Sequence, residues 1–305
     1  MLWVVLAVVG SAWAGVATER RWGARARSAT GRALEILLYT LFPLITFCGV
    51  NRLELSTGVG IGLALGYVAL GVATLGAWVL GRRVLRLDRP ALGAVLCAAL
   101  VANTGYLGLP LSAAVLGTDQ LGPAIAYDAL VSAPAVLLFG FGVGAAFGTK
   151  AGEGFRERAR SFVLRNPPGL ALVVALIVPD SAVPDAVIDA GRVAALGLAP
   201  IGFFILGVHL RHEAADGTFS FPPPLTRPVA AAVGVRLTLA PAVMLLADAV
   251  LLDLPPSYLL QAAMPCGINC LVVAHVYGLD LKLAAAAVAW SSALVVAVAS
   301  VVALV

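Results

Sequence analysis

Two short stretches of the chain carry the residue types from which chemistry can be built. One reads Asn103-Thr104-Gly105-Tyr106-Leu107-Gly108-Leu109-Pro110, the other Met264-Pro265-Cys266-Gly267-Ile268-Asn269. Each combines helix-breaking glycine and proline with amides or a hydroxyl that compete for backbone hydrogen bonds. The chemistry on offer is binding. A helix interrupted in this way presents unpaired N–H groups and a positive dipole end where it restarts, and both attract an anion. Pro110, followed by Leu111-Ser112-Ala113, suits such a restart because proline is favoured in a first helical turn. The predicted ligand site comprises Asn103, Thr104, Gly105, Pro110, Pro265, Gly267 and Asn269. The predicted ligand is a small organic anion, most simply a carboxylate.

Three further groups stand inside apolar stretches. Asp128 is a candidate proton carrier, since a protonated carboxyl can hydrogen-bond an anion that a carboxylate repels. Arg236 is a candidate counter-charge, for Asp128 or for the ligand. His275 is the other group able to carry a proton. Set against these readings are a structural ion pair, snorkelling toward headgroups, or a histidine packed as a neutral ring. No catalytic set accompanies them: the chain lacks H-E-x-x-H, an Asp-rich diphosphate motif and G-x-S-x-G, and it is not read as an enzyme. Cys266 and Cys270 stand four apart, not in the C-x-x-C spacing of a zinc or redox site. Neither a metal nor a cofactor is expected.

The elements that position these residues follow from composition. Of 305 residues, 61% are apolar and 12% charged, and mean hydropathy is +1.00. A soluble chain carries about 25% charged residues. So few charges cannot cover a globule of this size, so the surface must face lipid. The net charge of +4 forms no stripe for nucleic acid. A helix needs about 20 apolar residues to cross roughly 30 Å of hydrocarbon. Ten such segments run Leu2–Ala17, Ala33–Val50, Val59–Leu80, Ala91–Leu116, Gly122–Phe147, Phe162–Val178, Val187–Leu210, Pro228–Leu252, Ser257–Val276 and Leu281–Leu304. The first has no charged residues ahead of it, so it reads as a retained span and not as a signal peptide. Cations cluster after the odd-numbered spans: Arg20 to Arg32, Arg82 to Arg89, Lys150 to Arg165, Arg211 and Arg227, and Lys282. The positive-inside bias makes those loops cytoplasmic and puts both termini outside.

The two halves of the chain echo each other. Pro43 and Pro200 each precede a Gly-Val, and their separation is close to that of Pro110 and Pro265. Five spans is an odd number, so the second half must enter the membrane from the opposite side, a pattern common in secondary transporters. The expected fold is an all-α integral membrane protein of ten transmembrane helices, built as two inverted five-helix repeats with crossed broken helices 4 and 9.

Asn103-Thr104-x-x-x-Gly108-x-Pro110-Leu111 resembles the fourth-helix motif of the auxin efflux carrier family. Gln261-Ala262-Ala263-Met264-Pro265-x-Gly267-Ile268, with Ala274 and Tyr277 beyond it, is similar to the family's ninth-helix segment. The resemblance implies a fold like that of bile-acid/sodium symporters within a single membrane domain, 1–305. Repeat one would be 1–148, a cytoplasmic loop 149–161, and repeat two 162–305. Residues 1–50 and 162–210 would form a scaffold that dimerises, and 59–147 and 228–305 a mobile transport unit. The family's substrate-binding asparagine and crossover prolines map onto Asn103, Pro110 and Pro265. The long cytoplasmic loop of the plant members is absent, so regulation by phosphorylation there does not carry over. No acidic residue lies in either broken segment, which argues against sodium coupling. The expected function is secondary transport of a small organic anion, such as a carboxylate or auxin-like acid, by elevator-type alternating access in the plasma membrane. A membrane channel or receptor without active transport is the alternative. Expected partners are the anion, membrane lipid and a second copy of the chain, with no nucleic acid.

Overall fold

The computed structural model describes residues 2–52, 57–149, 167–215, 223–250 and 253–304. Among these residues every regular element is helical, apart from one isolated antiparallel bridge between Ala102 and Cys266. The expected cytoplasmic loop and the start of the sixth span fall almost wholly outside the described residues.

The helices are packed inside out relative to a soluble protein. In α4 (Thr57–Val79), Ala69, Ala73 and Ala77 are fully buried. Val68, Val72, Leu75 and Val79 form the opposite, exposed stripe, with Leu75 at 61% exposure. Small residues inward let backbones approach closely, and large apolar residues outward suit lipid. Segments Val59–Val84, Asp185–Ile205, Arg227–Val250 and Leu281–Val302 are each long and apolar enough to cross a membrane. The described residues are thus all-helical and fit an integral membrane protein.

Of the other expected spans, the second, fourth, fifth and ninth are divided, and the first is one helix of 21 residues. The first, α1 (Leu2–Trp22), meets α2 (Ala24–Ile36) at Gly23 alone, whose φ of +47° makes the turn. This corrects the expected arginine-rich loop: Arg20, Arg21, Arg25, Arg27 and Arg32 lie on helices, because alanine and arginine are strong helix formers. A π-helical turn, Leu37–Leu41, joins α2 to α3 (Phe42–Asn51). The fourth span is α5 (Arg89–Leu100), a break, a π turn at Thr104–Gly108, and α6 (Leu109–Leu116). The fifth runs from α7 (Leu121–Tyr127) through π turns at Asp128–Ser132 and Ala135–Gly140 into α8 (Phe141–Phe147). Then come α9 (Pro167–Ile177) and the long α10 (Asp185–Ala215), with Pro200 inside it. After α11 (Arg227–Val250), the ninth span is split into α12 (Pro256–Ala262) and α13 (Asn269–Tyr277), and α14 (Leu281–Leu304) closes the chain.

Helix α1 packs along α10, α3 along α9, and α4 along α11. Three apolar clusters result among the described residues, of which two are large. The larger gathers alanines of α4, α5, α11 and α14 with Met264 and Cys266. The smaller joins Ile45, Leu109, Ile125 and Leu198. The fourth and ninth spans meet inside the larger one, to which Val101 and Leu107 also belong.

Candidate functional site

The two broken helices meet backbone to backbone. Asn103 N–H donates to the Pro265 carbonyl at 2.8 Å, and Gly267 N–H donates to the Val101 carbonyl at 2.8 Å. These bonds flank the Ala102–Cys266 bridge. Away from water each opened backbone group needs a partner, and the neighbours supply them. Cys266 N–H reaches Ser291 Oγ of α14 at 3.1 Å. Arg236 of α11 gives Nε to Met264 O at 2.9 Å, Nη2 to Ala262 O at 2.8 Å and Nη1 to Ala99 O at 3.2 Å. Gly267 is required here by its surroundings: a Cβ on it would stand 2.7 Å from Ala102 O.

The position of the first break differs from expectation. The chain leaves the helix at Val101 and resumes it at Thr104, so the gap precedes the glycine–proline run. Pro110 lies in α6, past the π turn, whereas Pro265 sits inside the second break. Pro110 has no N–H to give to the carbonyl four residues back and would crowd it. The wider π turn absorbs that conflict without unwinding the chain. The two prolines therefore do not occupy matching places.

Asn103 and Thr104 are buried at 3% and 1% exposure where the helix restarts, and Asn103 Nδ2 has no hydrogen-bond partner among the described residues. Thr104 Oγ1 donates to Asp128 Oδ1, which brings the fifth span to the restart. Gly105 lies between Phe42 and Asp128: a Cβ there would stand 3.2 Å from the Phe42 ring and 3.5 Å from Asp128 Oδ2. Tyr106 packs edge-on against Phe42, ring centroids 5.5 Å apart, and its ring rests on Gly202 of α10. Asn103, Thr104, Gly105 and Asp128 thus form one neighbourhood, walled by Phe42 and Tyr106.

The other expected residues separate from it. Arg236 is bonded to three carbonyls, and among the described residues no carboxylate pairs with it. Asn269 and His275 lie on an exposed face of α13 with Val272 and Val276. Pro265 and Gly267 build the crossing through their backbones.

The π turns of the fifth span are tied down from outside. Tyr67 donates its hydroxyl to Leu130 O at 2.5 Å, and Cys97 Sγ to Gly140 O at 3.6 Å. A cavity of about 340 Å³ opens beside this span, lined by Cys48, Arg52, Asp119, Ile125 and Arg192 among others. Its arginines are engaged, Arg52 with Asp185 at 2.6 Å and Arg192 with Asp189 at 3.5 Å. It lies one helical turn from Asp128, through Ile125, and not at the crossing itself.

Gln261 is not among the predicted site residues. It is fully buried in α12 and gives Nε2 to Ala124 O at 3.2 Å. Its signal was a lone amide in an apolar helix. A Cβ on Gly108 would come within 2.0 Å of Gln261 Oε1. Gly108→Ala is therefore expected to push Gln261 off the Ala124 carbonyl and cost about 1–2 kcal/mol of stability. Thermal unfolding of the single and double variants with Gln261→Ala checks this: the two losses should not add.

Residues 161–303 match the family described as membrane transport protein. No curated protein matches the chain. The match spans the ninth-helix segment, and with it the second broken helix. Over residues 161–303 the chain is thus similar to the membrane transport protein family, that of the auxin efflux carriers, in line with the motifs on both sides of the crossing.

Proposed function

We propose that the protein is a secondary carrier for a small organic anion, bound where the fourth span restarts. The observation that carries this reading is the buried, unpartnered Asn103 amide next to Thr104, whose hydroxyl is held by Asp128. An unpaired buried donor costs about 1–3 kcal/mol, and a ligand oxygen relieves that cost. The restarting helix adds N–H groups and the positive end of its dipole. Asp128 supplies the coupling: ionised, it accepts the Thr104 hydroxyl; protonated, it becomes a donor and frees Thr104 to turn to the substrate. Phe42 and Tyr106 form an apolar wall suited to the hydrocarbon part of a carboxylic acid or auxin-like acid.

The pairing of the helices supports two inverted repeats. Adding five to each span number exchanges the pair of spans one and seven with that of spans six and two, while three–eight and four–nine map onto themselves. In this reading 1–50 and 162–210 are the scaffold, and 59–147 and 228–305 the transport unit that moves against it in the plasma membrane, with both termini outside and two copies joined through their scaffolds. The family points to transport rather than catalysis and does not favour a channel or receptor.

The test is uptake of radiolabelled mono- and dicarboxylates into proteoliposomes, with and without a pH gradient. Uptake should saturate, and acids should compete with one another. Asn103→Ala is expected to weaken binding about tenfold, the equivalent of one charge-assisted hydrogen bond, while leaving unfolding temperature unchanged. Unaltered affinity in that variant would remove Asn103 from the site, and flux that never saturates would reject a carrier.

A further inference from the structure

One guanidinium closes the carbonyl ends of both broken helices. Arg236 is 1% exposed and enters the crossing from α11. Its three acceptors come from the two segments that stop there: Ala99 O in the last turn of α5, Ala262 O at the end of α12, and Met264 O in the unwound link. Such carbonyls have no partner within their own helix and carry the negative end of its dipole. Broken-helix transporters use this kind of oxygen cage for their coupling sodium ion. Here the cage is bridged by a charge that belongs to the chain. The planar fork suits it, since the N–H groups radiate in fixed directions toward several acceptors.

We propose that Arg236 is a tethered replacement for the coupling cation. Its guanidinium occupies the oxygen cage at the crossing that a free sodium ion would otherwise fill, so the carrier operates without sodium. It is a positioning residue, touching backbone and not substrate. Two negative helix ends are neutralised from one side, and the two restarting ends are left free to act on an anion. The inference rests on the carrier reading for its functional meaning, but the occupancy of the cage is tested separately.

The first measurement needs no variant and no substrate. The unfolding midpoint of the detergent-solubilised native protein should be the same in sodium chloride as in choline chloride at equal ionic strength. A midpoint raised specifically by sodium would overturn the proposal. Arg236→Ala empties the cage, and its midpoint is expected to fall by roughly 10 °C. Millimolar guanidinium or sodium should restore part of that loss, and choline, too large for the cage, should not. A loss that no small cation restores would reduce Arg236 to a packing residue and reject the cage. Should the alanine variant fail to fold, Arg236→Lys replaces it: a shorter, compact ammonium leaves part of the cage open, so its midpoint should respond to sodium where the native one does not. In proteoliposomes, native uptake should be identical with and without sodium. Absence of any anion uptake would count against the carrier reading alone, while sodium-dependent uptake would count against the tethered cation alone.

Discussion

A Gly267→Val protein is expected to lose the crossing of the two broken helices and, with it, about 3 kcal/mol of stability. The first added carbon would stand 2.7 Å from Ala102 O and 2.9 Å from its carbonyl carbon, and both belong to backbone that is itself hydrogen-bonded across the bridge. Neither strand can retreat without breaking the Gly267–Val101 or Asn103–Pro265 bond, and each broken bond leaves polar groups stranded away from water. Gly267→Ala should fall between this variant and the native protein. Gly71→Ala is the control, since a Cβ at Gly71 meets nothing within 4 Å. There the change should be neutral or slightly stabilising. Thermal unfolding in detergent reads all three; a native midpoint for Gly267→Val would mean that the two segments do not touch.

The second large effect is on coupling. Asp128→Asn is expected to abolish the pH-dependent component of uptake while retaining substrate binding. Asparagine has the shape of a protonated carboxyl and, like it, presents a donor as well as an acceptor, which leaves Thr104 free to turn to the substrate. It can never carry the negative charge, so the proton cycle stops while the wall of the site remains. Initial rates over a pH series, native against variant, make the comparison. An unchanged pH profile in the variant would dismiss Asp128 as the proton carrier. A flat profile together with a native affinity would separate its role from that of Asn103, whose loss should weaken binding equally at every pH.

How far the sequence revealed these arrangements depends on whether the cause is local. The lipid-facing character of the helices was visible because it is written in composition. The break in the ninth span was also visible, since Pro265 and Gly267 sit inside it. The break in the fourth span was misplaced, because Val101-Ala102-Asn103 has no breaker of its own. It opens to pair with Cys266 and Gly267, more than 150 residues away. The glycine–proline run that looked like the gap stays helical by widening. Asp128 and Arg236 were both marked as intramembrane charges, but their partners were not. Thr104 is one polar residue among several, and the backbone carbonyls that hold Arg236 leave no trace in the sequence at all. Asn269, grouped with Asn103 by motif, starts α13 on its exposed side.

The widened turns of the fifth span each hold one residue more than their hydrogen-bond ladder requires. Such a surplus can be handed from one turn to the next, each handover exchanging one main-chain bond for another. Everything beyond it then swivels by about 100°, the angle of a single residue step. Asp128 stands at the start of the first widened turn, so the side chain bonded to Thr104 lies where such a handover would begin.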